Sequence, residues 1–161
     1  MAKQTTKIKA GKYNFKLVSI SLVEKFLQSK GIEEKTKFEF AISLELVVDF
    51  ENQILIVLVN VAIKPRDTET IVASVKTAFS FHVLELAEIV KIENDQPIIP
   101  YDLELRLRAI GISSSRGIVY SEFRGTFLQN AMLPILSHSA FHDAQYEEAK
   151  KIHSPEDTLP F

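Results

Sequence analysis

"FEFAISLELVVDF", Phe38 to Phe50, alternates along its whole length. Phe38, Phe40, Ile42, Leu44, Leu46, Val48 and Phe50 fall on one face, and Glu39, Ala41, Ser43, Glu45, Val47 and Asp49 on the other. A period of two with one apolar face marks a strand in a sheet that is covered on one side. Working outward, "ENQ" (Glu51–Gln53) reads as a turn, and "ILIVLVNVAI" (Ile54–Ile63), apolar on both faces, reads as a central strand. A second turn, "KPRDT" (Lys64–Thr68), returns the chain into Glu69–Leu84. There Ile71, Ala73, Val75, Phe79, Phe81 and Val83 oppose Thr70, Ser74, Lys76, Ser80 and His82. Upstream, "KYNFKLVSISLV" (Lys12–Val23) is rich in β-formers, and its alternation slips at Val18 and Ser19 as at a bulge. Four strands joined largely by hairpins predict an antiparallel sheet.

The first two strands are separated by a charged connection, Glu24–Lys37. Its large apolar residues, Phe26, Leu27 and Ile32, follow no helical or strand period. A merely solvated loop does not need them, so they are expected to cover or line an apolar groove.

After Leu84 a linker leads to a helix expected to begin near Pro100, since proline is favoured in a first turn, although "LELRLR" (Leu103–Arg108) reads equally well as a strand. The passage "AIGISSSRGIVYSEFRGTF" (Ala109–Phe127) then carries serines and glycines where alanine would serve a helix better. It lacks the glycine–lysine spacing of a phosphate-binding loop. It also lacks the second glycine of a nucleophile elbow, since Ser115 stands in that place. Helical spacing gives the passage a sense. Ala109, Ser113, Gly117, Ser121 and Gly125 fall four apart and make one small stripe, while Ile112, Val119 and Phe123 make an apolar one. A small stripe lets another backbone approach closely. Spacing alone leaves two candidates for that backbone, a second copy of the chain or the domain's own sheet. An apolar segment broken by Pro134 follows, and then a last helix, Ser139–His153, with Phe141, Ala144, Ala149 and Ile152 inward.

Strands first and helices after predict an α+β fold, a four-stranded antiparallel sheet followed by helices packed on one face. A chain of 161 residues that is 46% hydrophobic and 25% charged suits one domain over 1–161, with flexible ends near 1–11 and 154–161. The net charge of −2, and arginines at 66, 106, 108, 116 and 124 without a basic run, give no pull toward nucleic acid. With no cysteine there are no disulfides or thiolate metal sites. His138 and His142 stand at i,i+4 beside Asp143, but no further ligand is near in sequence, so no metal or other cofactor is expected. The start, "MAKQTTKIKAGK", lacks the apolar run of a secretory signal, and Ile54–Ile63 is far shorter than the roughly 20 residues that span a bilayer. A cytoplasmic protein without membrane insertion is expected.

The order of elements resembles the SecB export chaperones. Arg124-Gly125-Thr126-Phe127 matches the "RGTF" end of that family's main helix, Leu133-Pro134-Ile135 resembles its linker, and Phe141 resembles the aromatic residue opening its last helix. The pattern extends over nearly all of Tyr13–Lys151. It departs from the family where Ile112-Ser113 replaces a Pro-Tyr pair, where the linker lacks a second proline and Asn-Phe, and in its near-neutral charge. The resemblance implies an ATP-independent holdase for unfolded polypeptides in protein export and translocation, built as a homotetramer, a dimer of dimers. It implies that the Ala109/Ser113/Gly117/Ser121/Gly125 stripe is the oligomer interface. It implies a crossover after strand one, and apolar grooves lined by Phe26, Leu27, Ile32, Phe38, Phe40, Phe127, Leu133, Ile135 and Phe141. For each groove residue, and for Phe38 and Phe40 above all, ordinary core is the competing reading. Glu39, Glu45 and Asp49 correspond to the acidic side that the family presents to the SecA motor. Other readings are a dedicated chaperone of a toxin–antitoxin system, a small-molecule or lipid carrier with a closed pocket, and a serine hydrolase.

Overall fold

The computed structural model describes residues 12–28, 32 and 36–135. The expected last helix with Phe141, the His138/His142 pair and both chain ends lie outside the described residues.

Among the described residues eight elements follow one another: β1 (Phe15–Leu27), β2 (Phe38–Asp49), β3 (Ile54–Pro65), β4 (Ala73–Val83), α1 (Leu86–Ile89), β5 (Lys91–Glu93), β6 (Gln96–Ile98) and α2 (Tyr101–Glu122). The four long strands form one antiparallel sheet in the order β1-β4-β3-β2. β2–β3 and β3–β4 are hairpins, as the alternation predicts. β1 pairs with β4 at the far edge, so the chain after Leu27 must cross the width of the sheet to begin β2. That width is about 14 Å at roughly 4.8 Å per strand, well within the reach of the intervening residues. The crossing is tied at both ends, by Gln28 N donating to Val72 O at 2.8 Å and Arg66 N donating to Lys37 O at 2.8 Å.

The bulge expected near Val18 and Ser19 is present as a register shift between Leu17 and Ser19. A second shift, between Leu22 and Glu24, restarts the ladder and carries β1 to Leu27, past the Val23 expected as its end. Phe26 and Leu27 therefore stand in a strand and not in a loop, paired with Ser74 and Ala73. β4 begins at Ala73 and not at Glu69, because the turn after β3 holds Asp67 at φ 63° and Thr68 Oγ1 donating to Pro65 O at 2.9 Å. The expected linker contains α1 and a small hairpin, β5–β6, whose turn residues Asn94 and Asp95 have φ 51° and 61°. Both central residues in the left-handed region define the tight primed turn that joins short strands.

α2 starts at Tyr101, directly after Pro100, as expected. Leu103, Leu107, Gly111, Ser115, Val119 and Phe123 are buried at four-residue intervals and lie over β3 and β4. Their partners are the inward rows Leu55, Val57, Val59, Val61 and Ile63 on β3 and Ala73, Val75, Phe79, Phe81 and Val83 on β4, all buried. Among the described residues no helix is long and apolar enough to cross a membrane.

Candidate functional site

The helix side of the sheet is unevenly covered. β3 and β4 lie under α2, but the inward row of β2, Phe38, Phe40, Ile42, Leu44, Leu46, Val48 and Phe50, is only half-buried along its whole length. On the opposite edge Ile20 and Leu22 share the inward face of β1, where they pair with Phe79 and Thr77, and remain 49% and 47% exposed. One helix is narrower than a four-stranded sheet, at about 10 Å against 14 Å, so it leaves a margin on each side.

The chain leaving α2 reaches the β2 margin at Phe127. Gly125, at φ 77°, takes the left-handed conformation that follows a helix end, and Thr126 Oγ1 donates to Phe123 O at 2.7 Å. Phe127 meets Phe38 with ring centroids 6.1 Å apart. Leu133 is buried in the core, while Met132 and Ile135 on either side of it are 64% and 82% exposed. Arg116 on α2 holds this segment, its Nε donating to Leu133 O at 3.1 Å and its Nη2 to Pro134 O at 3.2 Å.

No family model and no curated protein sequence matches the chain. Among solved structures it is similar to the SecB-like chaperone Rv1957 of Mycobacterium tuberculosis, in complex with a ChAD peptide from the HigA1 antitoxin Rv1956. That likeness has a TM-score of 0.52 and 11% sequence identity, and covers 76% of this chain and 85% of that one. The fold is SecB-like.

On this SecB-like frame the expected groove residues separate. Phe38 and Phe127 touch, Phe40 is half-buried in the same row, and Ile135 is open to solvent. Leu133 is core. Ile32, in the crossover, is half-buried. Phe26 and Leu27 part company: the register turns Leu27 toward the helix side with Ala73 and Phe26 toward the outer face with Ser74, so they cannot line one wall. Met132 and the upper part of the β2 row escaped the sequence reading. Alternation marks the row as inward, but among the described residues the width of α2 decides how much of it is covered.

The small stripe does not pack on the protein's own sheet. Ser113, Gly117 and Ser121 are exposed, Ala109 is half-buried, and nothing lies within 4 Å of a Cβ built on Gly117. Gly125 drops out of the stripe, because the helix ends at Glu122. The close approach to the sheet is made two residues out of phase, at Gly111. A Cβ there would lie 3.1 Å from Val59 Cγ2 and 3.4 Å from Val57 Cγ1. Ser115, one turn on, turns its hydroxyl back to Gly111 O at 2.8 Å and so buries no free donor.

Glu39, Glu45 and Asp49 all face outward, as the alternation predicts. Two of them are engaged locally. Glu39 lies 3.6 Å from Arg66 Nε, and Asp49 accepts hydrogen bonds from Asn52 Nδ2 at 2.8 Å and Asn52 N at 3.1 Å, which hold its carboxyl below the usual range. Beside Glu45 a shallow concavity of about 410 Å³ is lined by Glu24, Ser43, Leu58, Asn60, Ser74 and Lys76. Glu24, Lys76, Asn60 and Ser43 are paired straight across the four strands. This concavity lies on the outer face, not between sheet and helix, where a carrier of apolar ligands would hold its cargo. Among the described residues no group of three or more His, Asp or Glu is placed to hold a metal.

Proposed function

We propose that the chain is a cytoplasmic, ATP-independent holdase that binds unfolded polypeptides along the β2 margin. The observation that carries this reading is the half-covered apolar row from Phe38 to Phe50, met at its Phe38 end by Phe127. Such a row suits an extended chain, each of whose buried apolar side chains contributes roughly 1.5–3 kcal/mol. Among the described residues β2 is also an edge strand, whose outer backbone groups can pair with that chain. Apolar burial is non-directional, so the binding is promiscuous. The expected assembly is a homotetramer, a dimer of dimers, with the Ala109–Ser121 stripe at an interface that also covers Ile20 and Leu22. The test is suppression of aggregation of a chemically unfolded protein without nucleotide, with light scattering to read the oligomer. Failure to protect any such client would remove the reading and favour a carrier.

Service in export would require SecA. With Glu39 and Asp49 engaged locally and Lys76 in the middle of the outer face, SecA binding is expected to be weak and salt-sensitive. A second reading is one dedicated client, an antitoxin, and it is favoured by the antitoxin peptide held by the similar SecB-like chaperone. Competition between a neighbouring-gene antitoxin and unrelated unfolded proteins separates the two readings.

A further inference from the structure

The segment after α2 has no ladder to hold it. Ala131–Ile135 forms neither helix nor strand, Pro134 offers no N–H, and Leu133 is its only fully buried side chain, with Ala131 partly buried against the core at its start. A single buried side chain fixes where a segment sits but leaves it free to swivel. Arg116 removes that freedom. Its half-buried guanidinium donates to two successive carbonyls, Leu133 O at 3.1 Å and Pro134 O at 3.2 Å. A planar fork on consecutive carbonyls fixes direction as well as position. Among the described residues no carboxylate pairs with Arg116, so its charge-assisted donors serve the segment.

We propose that Arg116 is a positioning residue for client binding, resting on the holdase reading: it aims Met132 and Ile135, the exposed apolar side chains that follow Phe127 in the chain, at the client. Met132 and Ile135 flank the clasped carbonyls and are among the most exposed apolar side chains described. Their aim depends on the backbone between them, and that backbone is what Arg116 holds.

The test compares wild type, Arg116→Met and Arg116→Lys. Amide exchange at Met132, Leu133 and Ile135 is read beside the dissociation rate of a fluorescent, permanently unfolded client, with light scattering in parallel. Arg116→Met keeps the apolar stem and loses both donors. It is expected to speed exchange at those amides and to raise the dissociation rate about tenfold with the oligomer intact. Arg116→Lys, with a point charge that can serve one carbonyl, is expected to fall between the two and so rescue in part. An unchanged dissociation rate in Arg116→Met, or a loss that merely follows a dissociated oligomer, overturns the proposal while wild-type binding still stands. If wild type holds no unfolded client at all, the holdase reading fails and this proposal fails with it.

Discussion

Lys25 Nζ reaches the Glu122 carbonyl oxygen at 2.8 Å and its carboxylate at 3.1 Å, and it lies 5.7 Å from the centre of the Phe123 ring. The edge strand thus caps the C-terminus of α2, where carbonyls lack helical partners and the helix dipole is negative. The contact depends on the second bulge of β1, which turns Lys25 toward the helix beside Val75. Lys25→Met keeps the stem and removes the charge. It should lower stability by roughly 1 kcal/mol, and by less at high salt, since both groups are partly exposed. Denaturant melts at two ionic strengths check this, and identical losses at both would show the charge to be irrelevant.

Gly117→Leu separates assembly from folding. Nothing lies within 4 Å of its Cβ position, and leucine favours a helix over glycine by about 1 kcal/mol, so the isolated protomer should fold at least as well. In a symmetric contact the intrusion appears on both partners, and the assembly should split. Light scattering at micromolar concentration reads the mass beside the melting temperature. An unaltered oligomer would move the interface elsewhere on the protomer.

Gly111 should respond in the opposite way. Its added Cβ meets Val59 at 3.1 Å, so in Gly111→Ala the gain in helix propensity and the forced shift offset each other to within about 1 kcal/mol. Gly111→Val drives branches into Val57 and Phe79 and should cost about 1–3 kcal/mol. Equal tolerance of valine at 111 and 117 would mean that α2 does not press on the sheet as described.

The Asp49 carboxyl titrates below its ordinary value because Asn52 donates to it from side chain and backbone. A folded pKa below the unfolded one adds stability above the unfolded value of about 3.8, lost as the pH falls through the lower folded value. Asn52→Ala should return the Asp49 titration toward that ordinary value, read by carboxyl NMR shifts. The hairpin register should not change, because it is set by the two long strands.

The sheet was legible because alternation in Phe38–Phe50 and apolar residues on both faces in Ile54–Ile63 are local properties of the chain. The helix start at Pro100 was only half legible, because Leu103–Arg108 alternates as a strand would and only its packing over β3 and β4 decides for the helix. The second bulge was not: Leu22, Val23 and Glu24 carry no turn residue, and only pairing with β4 reveals the shift. That shift decides the face of every residue after it, which is why Phe26 and Leu27 read as loop. The hairpin at Asn94 and Asp95 was missed because its strands are three residues each and too short to show a period. The two small stripes of α2 differ by two residues, and spacing cannot tell which meets the sheet. Arg116 carried no signal at all, since its partners are carbonyls, which every residue has.

The client-binding face can be placed by variants that differ in side of the sheet. Phe26, paired with Ser74, lies on the outer face and is 43% exposed, so Phe26→Ser should leave client binding unaltered. Phe38 and Phe127 meet on the helix side, where their joint replacement by serine removes one end wall. Because Phe38 also packs against the core, a second variant is needed that cannot be blamed on folding. Met132→Ser with Ile135→Ser alters side chains already open to solvent. Each of these pairs should raise the client dissociation constant by at least about tenfold, since each withdraws two apolar side chains from burial by the client. The measurement is titration of a labelled unfolded client, with the oligomer checked in parallel. If Phe26→Ser weakens binding while Met132→Ser/Ile135→Ser does not, the client lies on the outer face and the β2 margin is not the site.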